Sequence, residues 1–393
     1  MIQAPLRSPN KISRVCAPLA SLLATLAFVS LTTAAQAADS TPAALINAGH
    51  WKRARPLVER QYQANPQDPE AAYLLSRVKL TFGDLDGALG LAEKAVALDP
   101  KNSAYHYQLA VTCGRTAERA SLFLKGRWAK RFKEEAETAA NLDPGNIEAR
   151  LGLLEYYLQA PRLMGGGKDK AHAMAEEIAR LNDISGDLAQ ARVAEDNKDP
   201  TKMREAYDKA AEIGPRTYED RIAVANYFLR PAGSLRQSGS EGLNGLPANA
   251  AVAEKLAREA ANLEPGRVDA YATLARLYAQ QKGWKVLDTT LGESEKKVPD
   301  NLLPYFGAGQ VLLVQSSAGD KDLARAERYL RKYLGQQPEG DSPTLAEAHW
   351  RLGLILEKEG RKNDAASEVG AAIALDPSLE KAKGDLKRIH GGS

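Results

Sequence analysis

Three consecutive glycines and a lysine, residues 165–168, stand in the segment LQAPRLMGGGKDKA and would suit the binding of a phosphate or another anion. A phosphate-binding loop of the G-x-x-x-x-G-K-[ST] type does not fit, because Arg162 stands where the first glycine is needed and Asp169 where the hydroxyl is needed. A dinucleotide-binding loop does not fit either, since the third glycine and the preceding strand are missing. Two interpretations stay open: a plain connector between helices, or an anion site beside Lys168 at a helix start.

A second segment is strongly basic and interleaved with aromatic residues. This segment, residues 115–133, contains one acidic residue, Glu118, and seven basic residues: Arg115, Arg119, Lys125, Arg127, Lys130, Arg131 and Lys133. Such a segment can dock an acidic partner or lipid headgroups. The helical spacing of Ala129, Phe132 and Ala136 favours the alternative, in which the basic residues are the solvated side of a helix.

No local arrangement of residues points to catalysis. The sequence contains no H-E-x-x-H pattern, SGSEG lacks the spacing of G-x-S-x-G, and the histidines are scattered at His50, His106, His172, His349 and His390. Charged residues make up 26% of the chain, which is ordinary for exposed helix faces, so an Asp/Glu pair indicates surface more than acid–base chemistry. We therefore predict a protein that is not an enzyme and that has no metal site and no cofactor.

The first 37 residues form an export signal rather than part of the fold. Basic residues precede an apolar run from Val15 to about Ala35, and the run closes on a small-residue site that predicts cleavage near Ala37. An uncleaved membrane anchor is the alternative, because the run is nearly long enough to span a bilayer. We therefore expect a periplasmic location in a bacterial cell, without stable membrane insertion after cleavage.

Removal of residues 1–37 also changes the charge and cysteine content. It takes away three basic and no acidic residues, so that 53 Lys+Arg against 50 Asp+Glu becomes 50 against 50. A formally neutral chain has no global field that attracts nucleic acid, and we expect no nucleic-acid partner. Only Cys113 remains, so no internal disulfide can form, although Cys113 would be able to pair between chains if it were exposed.

The chain is built from repeats, which recurring prolines mark. These prolines are Pro66, Pro100, Pro144, Pro215, Pro265, Pro299, Pro338 and Pro377. The shortest spacing is 34 residues, and one long gap of 71 residues hides a repeat in which Asp183 takes the place of proline. Within the units, small residues recur where two helices must approach closely, as in unit 69–102 with Ser76, Ala88 and Ala95. A period of this length predicts a helix-turn-helix solenoid.

In these features the chain resembles the tetratricopeptide repeat (TPR) family, whose pattern places Leu-Gly, two alanines and a terminal proline at the same offsets. The final unit shows the pattern with Leu352, Gly353, Ala365, Ala372 and Pro377. The resemblance implies an all-α, right-handed α-solenoid over residues 38–377, with about nine units. We place them at 35–68, 69–102, 103–146, 147–183, 184–217, 218–267, 268–301, 302–345 and 346–377. Residues 378–393 would form a polar-backed capping helix and tail.

Four units carry extra residues between their two helices: ten in unit 3, five in unit 4, about sixteen in unit 6 and five in unit 8. Because equivalent turns of a solenoid stack along one edge, all four inserts are expected to project from the same edge.

The resemblance also implies a binding groove, because the first helix of each TPR unit lines the concave face. At two recurring offsets the sequence places aromatic and hydrogen-bonding side chains there: Tyr73, Tyr107, Phe306 and Trp350, and Arg77, Glu155, Asn226, Arg276 and Gln310. Aromatic anchors among polar groups suit an extended peptide or a partner helix. The alternative is that some of these aromatic residues belong to the core between repeats. The Lys/Asn carboxylate clamp of the family is not matched, because Tyr73 and Arg77 stand at its positions.

From the sequence we therefore predict a periplasmic protein-interaction scaffold or adaptor. Its partner would be an envelope protein or peptide, and its oligomeric state is left open. The alternative is a ligand-handling accessory component of an envelope transport system, in which the groove or the glycine-rich inserts hold a small anionic solute.

Overall fold

The structure, a computed structural model, describes residues 41–229, 249–315, 319–340 and 342–391, and all regular structure within these ranges is helical. The signal-peptide prediction and the unit 6 insert at 230–248 lie outside the described residues. The helices are α1 (Pro42–Asn47), α2 (Trp51–Ala64), α3 (Pro69–Thr81), α4 (Leu85–Leu98), α5 (Ser103–Arg119), α6 (Leu122–Leu142), α7 (Ile147–Gln159), α8 (Lys168–Leu181), α9 (Asp183–Asp196), α10 (Pro200–Ile213), α11 (Tyr218–Phe228), α12 (Ala250–Leu263), α13 (Val268–Gln280), α14 (Trp284–Lys297), α15 (Leu303–Val314), α16 (Asp320–Leu334), α17 (Leu345–Lys358), α18 (Lys362–Leu375) and α19 (Glu380–Gly391).

The helices stack as consecutive pairs, from α1–α2 to α17–α18, and α19 packs on the last pair. Each first helix also packs against the first helix of the next pair, all the way from α1 to α17, whereas successive second helices make no comparable contact among the described residues. A stack whose first helices are closer together than its second helices must curve toward the first helices. The fold is therefore an all-α solenoid, and we call the side lined by its first helices the inner face.

Side-chain caps and left-handed turns define where the helices begin and end. Asp68, Asn102 and Asn146 each cap the start of a first helix by accepting a hydrogen bond from a backbone N–H of its first turn. In several pairs the backbone between the two helices takes a positive φ, as at Gly83 (φ +83°), where glycine is favoured. Lys282 takes the same conformation (φ +55°) in the turn before α14. These turns send each second helix back antiparallel to the first.

Small residues allow the two helices of a pair to approach closely. At Gly353 in α17, a Cβ atom would lie 2.5 Å from Cγ2 of Val369 and 3.0 Å from the carbonyl oxygen of Ala365, so only glycine fits. In unit 2 the alanines at the repeat positions, Ala88 and Ala95, are fully buried, and Ser76 of the first helix donates to the carbonyl oxygen of Ala88 over 2.8 Å. The small residues that define the sequence repeat are thus the close contacts within the helix pairs.

The extra residues of unit 3 do not form a loop. They lengthen both helices, since α5 has 17 residues and α6 has 21, against 13 and 14 in α3 and α4. At 1.5 Å per residue, this helical hairpin extends roughly 6–10 Å beyond the corresponding turn of a shorter pair. The sequence predicted extra residues between the two helices of this unit. In the structure these residues form a protruding helical hairpin, whose tip lies at residues 119–122.

The first pair returns to contact the later part of the stack. Nδ1 of His50 lies 2.9 Å from Oδ2 of Asp300, and the backbone N–H of Lys52 donates to Oε1 of Glu339 over 2.7 Å. Nζ of Lys52 donates to the carbonyl oxygens of Asp300 (2.6 Å) and Gln337 (2.8 Å). We call these interactions the end contact. It joins the turn of unit 1 to the turns that follow α14 and α16. The start of the helical stack therefore contacts its later part, and the stack that forms the inner face is closed.

None of the helices in the described ranges is long and apolar enough to cross a membrane. Cys113 lies on α5 with no exposed surface, and burial raises the pKa of its thiol to about 12. Cys113 was expected to pair between chains only if its thiol were exposed. Because the thiol is buried, this condition is not met.

Candidate partner-binding face

Two aromatic residues predicted for the groove, Tyr73 and Tyr107, are half-buried on first helices of the inner face. The ring of Tyr73 lies 5.1 Å from the ring of Tyr105 in the next first helix, measured between centroids. Tyr107 packs against Gly152, where a Cβ atom would lie 3.2 Å from the tyrosine ring, and burial raises the pKa of Tyr107 to about 12. Both rings therefore lie between units and expose only part of their surface.

Phe306 and Trp350 do not stand in a groove, which corrects the sequence-based expectation for them. Phe306 is 2% exposed, and its ring packs 5.2 Å from that of Tyr333 on the second helix of its own unit. Trp350 is 8% exposed, and its indole N–H donates to Asp385 of α19 over 2.8 Å. These two aromatic residues hold the core together, which is the alternative that the sequence left open.

Polar residues at one recurring position of the first helices link neighbouring units. Glu155 of α7 accepts two hydrogen bonds from Arg192 of α9, over 2.5 Å and 3.0 Å. Arg192 stands at the same repeat offset as Glu155, one unit later, and sequence reasoning missed it. The opposite charge at the equivalent position of adjacent units was the signal that could have found it.

Two units later the same row contains an arginine without an acidic partner. Arg276 of α13 donates to Oδ1 of Asn226 in α11, which also accepts from Thr273 over 2.9 Å. Nε of Arg276 is buried and donates to no described group. Burial lowers the pKa of this guanidinium, although Asp269, two helical turns earlier in α13, acts in the opposite direction. No carboxylate of the described residues lies within 4.0 Å of it, although such a partner would compensate its charge.

The remaining predicted groove residues flank this row. Arg77 is engaged within the solenoid, because it donates to Asn47 of α1 over 3.0 Å and its guanidinium lies 5.8 Å from the centroid of the Trp51 ring. Gln310 is half-buried on α15, one helical turn after Gly307. A Cβ at Gly307 would lie 3.1 Å from Cγ of Arg276, so this glycine lets α15 approach the arginine closely. Asn226, Arg276 and Gln310 are therefore the part of the predicted groove that neighbouring first helices bring together.

The seven basic residues of this segment divide into two groups. Four have acidic partners: Arg115 lies 3.5 Å from Glu118, Lys130 lies 3.5 Å from Glu134, Lys133 lies 3.0 Å from Glu137, and Arg131 donates to Glu93 over 2.6 Å. The other three, Arg119, Lys125 and Arg127, are exposed around the tip of the α5–α6 hairpin. The basic segment thus consists of a neutralised helix side and a charged tip.

The glycine-rich segment of unit 4 does not present its amides to a ligand. The N–H groups of Gly165, Gly166 and Gly167 donate to the carbonyl oxygens of Arg162, Pro161 and Tyr157, over 2.9, 3.2 and 2.8 Å. A Cβ at Gly166 would lie 1.9 Å from the carbonyl oxygen of Ala160, so the glycine is required by close packing of the chain. Nζ of Lys168 donates to Asn197 over 2.7 Å. The segment is a tight turn, and these contacts do not favour an anion site there.

Three of the five histidines contact carboxylates and link helices. Nδ1 of His106 lies 2.7 Å from Glu135, and Nδ1 of His349 lies 2.6 Å from Glu368 of the partner helix. His50 belongs to the end contact. Across the described part of the chain, no three His, Cys, Asp or Glu side chains are grouped so that they would hold a metal ion.

Two stretches of the chain match sequence models of the tetratricopeptide repeat, residues 45–112 and residues 318–380. A search of curated proteins gave no match. Among solved structures, the chain is similar to TTC0263, a thermophilic TPR protein in Thermus thermophilus, with 24% identity and a TM-score of 0.41 over 47% of this chain and 94% of that one. MamA is 18% identical, with a TM-score of 0.32 over 43% and 91%. Yeast Tom70 is 14% identical, with a TM-score of 0.43 over 91% and 88%.

Proposed function

We propose that this chain, in which two stretches match models of the tetratricopeptide repeat, is a non-enzymatic scaffold that binds a peptide or a partner helix on its inner face. Repeats of this kind act in general through protein–protein interaction, and a rigid stack of first helices offers a long, preformed surface. The proposed location is the periplasm, after cleavage near Ala37, and its support is the sequence pattern of the first 37 residues.

Arg276 is the observation that carries the proposal. Its guanidinium is desolvated at the junction of α11, α13 and α15, has one neutral partner in Asn226, and keeps an unused Nε donor. An acidic group on a partner, either an Asp/Glu side chain or a terminal carboxylate, would supply the missing acceptor and the compensating charge. We therefore propose that the partner segment is acidic and that Asn226, Arg276 and Gln310 form the centre of its binding site.

Binding of displayed ten-residue peptides tests this proposal. We expect selected peptides to contain Asp or Glu and to bind with a dissociation constant of about 1 µM, or about −8 kcal/mol. Arg276→Met should weaken binding by about 10- to 100-fold, because a hydrogen bond to a charged group contributes about 1.5–3 kcal/mol. Arg180→Met is the matched control, since Arg180 is exposed on the second helix α8. Selected peptides without acidic residues, or equal binding by both variants, would refute the assignment of this site.

A further inference from the structure

The tip of the α5–α6 hairpin exposes large apolar side chains at an edge of the solenoid. Phe123 is 91% exposed, and Leu163 in the neighbouring turn of unit 4 is 98% exposed, more than any other large apolar residue described. A folded protein gains nothing from a fully exposed phenylalanine. Isolated exposed apolar side chains are common on protein surfaces. Two protruding apolar side chains on adjacent turns instead indicate a surface that binds a membrane or another protein.

These two tips lie side by side. Gly126 in the first turns of α6 faces the turn of unit 4, because a Cβ on it would lie 3.6 Å from Cε of Met164. Phe123 is three residues before Gly126 and therefore lies on the same side of α6, while Leu163 is adjacent to Met164 in the chain. The inserts of units 3 and 4 therefore lie next to each other at one edge of the solenoid. We call the surface formed by residues 119–127 and 161–170 the tip surface.

The tip surface is also strongly basic. Residues 119–127 and 161–170 together carry six basic side chains and one acidic side chain, a net charge of +5, and one of the six, Lys168, is paired with Asp196 over 3.3 Å. Around the apolar tips, Arg119, Lys125 and Arg127 are exposed, with no carboxylate within 4.0 Å among the described residues. Arg162 is 84% exposed, and its nearest carboxylate, Asp169, is 3.9 Å away and itself exposed.

We infer that this tip surface docks on a bilayer rich in anionic phospholipid, with Phe123 and Leu163 entering the interface and the basic side chains meeting the headgroup phosphates. Proteins bind an anionic bilayer through shallow insertion of apolar side chains and through electrostatic attraction of basic side chains to the headgroups. The tip surface offers both, because basic side chains surround its two exposed apolar side chains. Phe123 protrudes from the tip with 91% of its surface exposed, so a flat surface fits it better than a partner helix does. The inner face, which the first helices form, would stay free, so this inference is independent of the proposed peptide binding.

Vesicle co-sedimentation tests the inference with the chain from Ala38 onward, which contains every described residue. We expect binding to vesicles of 70% phosphatidylcholine and 30% phosphatidylglycerol, weakened by 0.5 M salt, and no binding to phosphatidylcholine alone. The double substitution Phe123→Ala with Leu163→Ala should reduce binding at least about tenfold, because it removes the apolar insertion. The matched control is Leu263→Ala with Leu375→Ala, which removes two half-exposed leucines on second helices elsewhere.

The charge contribution has its own pair of variants. Substitution of Arg119, Lys125, Arg127 and Arg162 by Gln should abolish binding at 0.1 M salt. The same number of changes at the exposed Lys255, Lys296, Lys297 and Lys381 should cause a much smaller loss, since those residues lie away from the tip. Because all the substituted tip residues are exposed, the circular dichroism spectrum and the melting temperature should stay unchanged.

A spectroscopic variant reports insertion directly. Phe123→Trp should show a blue shift on addition of the anionic vesicles and quenching by brominated lipid. Absence of binding to anionic vesicles, or binding that both tip variants retain, overturns the inference. If the vesicles do not bind and the tip variants instead lose an acidic protein partner, the surface is a protein-docking site, and the bilayer assignment is wrong.

Discussion

The substitution Lys52→Met tests whether the end contact holds the solenoid closed. Nζ of Lys52 donates to the carbonyl oxygens of Asp300 and Gln337, in two different turns. It also lies 3.1 Å from Oε2 of Glu339, as an ion pair without hydrogen-bond geometry, and the side chain of Glu339 has no exposed surface. Methionine keeps most of the side-chain length and removes only the charge and its donors.

The expected cost follows from these partners. A hydrogen bond to a charged group contributes about 1.5–3 kcal/mol, and removal of one partner from a buried ion pair costs about 3–5 kcal/mol. The Lys52 side chain is 27% exposed, so water replaces part of what is lost. We therefore expect a loss of about 2–3 kcal/mol, located in the end contact. Because repeat stacks unfold piecewise, this loss should appear as release of α1 and α2 rather than as global unfolding.

Hydrogen exchange and a distance measurement detect that release. Amides of α1 and α2 should exchange about 30- to 150-fold faster in Lys52→Met, which corresponds to about 2–3 kcal/mol. Pulsed electron spin resonance between labels at Arg60→Cys and Lys321→Cys, both exposed, should change from a narrow to a broad distance distribution. Lys255→Met is the control, because Lys255 is exposed on α12 and has no ion pair among the described residues. Unchanged exchange in α1 and α2 would refute the closed stack.

The effect should also depend on pH in a defined direction. Burial raises the pKa of Glu339 above its ordinary value, even though Lys52 acts to lower it. When the pKa of an acid is higher in the folded than in the unfolded state, its protonated form contributes to the free energy of unfolding at low pH. That contribution to stability is lost as the pH rises through the folded-state pKa. Without Lys52 the pKa of Glu339 should rise further. The destabilisation caused by Lys52→Met should therefore be largest near pH 7 and decrease below about pH 4, as measured by denaturant unfolding.

Three further predictions concern packing. Gly353→Ala should destabilise unit 9 by about 1–3 kcal/mol in denaturant unfolding, because the new methyl group would lie 2.5 Å from Val369, whereas Gly370→Ala, at a position with open space, should not. Gly83→Ala should cost about 1–2 kcal/mol through its left-handed backbone, whereas Lys282→Gly should cost little; equal losses would contradict the turn argument. In the chain from Ala38, the buried Cys113 thiol should react with a disulfide reagent at pH 8 only after unfolding, and rapid labelling of the native protein would show that α5 is misplaced.

Packing within a repeat was more predictable than contacts between distant repeats. The small residues and prolines state directly where helices approach and end, so the solenoid and positions such as Gly353 follow from the sequence. Phe306 and Trp350 stand at the same repeat position as Tyr73 and Tyr107. They are buried because Tyr333 packs on Phe306 and α19 packs on Trp350, and the repeat pattern specifies neither contact. The end contact depends on the rotation accumulated over several units, and no local pattern encodes it. The extra residues of unit 3 can be recognised in the sequence, but their helical form depends on α5 and α6 packing on each other.

Photo-crosslinking in intact cells tests the central claim, that the inner face binds a partner, most directly. A photoreactive phenylalanine analogue would replace Gln310, which lies on α15 one helical turn after the glycine that packs against Arg276. In the control it would replace Lys255, which is exposed on the second helix α12. We predict a discrete adduct with a protein from position 310 that is absent from position 255 and is lost when Arg276→Met is added. Adducts of equal yield from both positions, or an adduct that persists without Arg276, would contradict a binding site on the inner face.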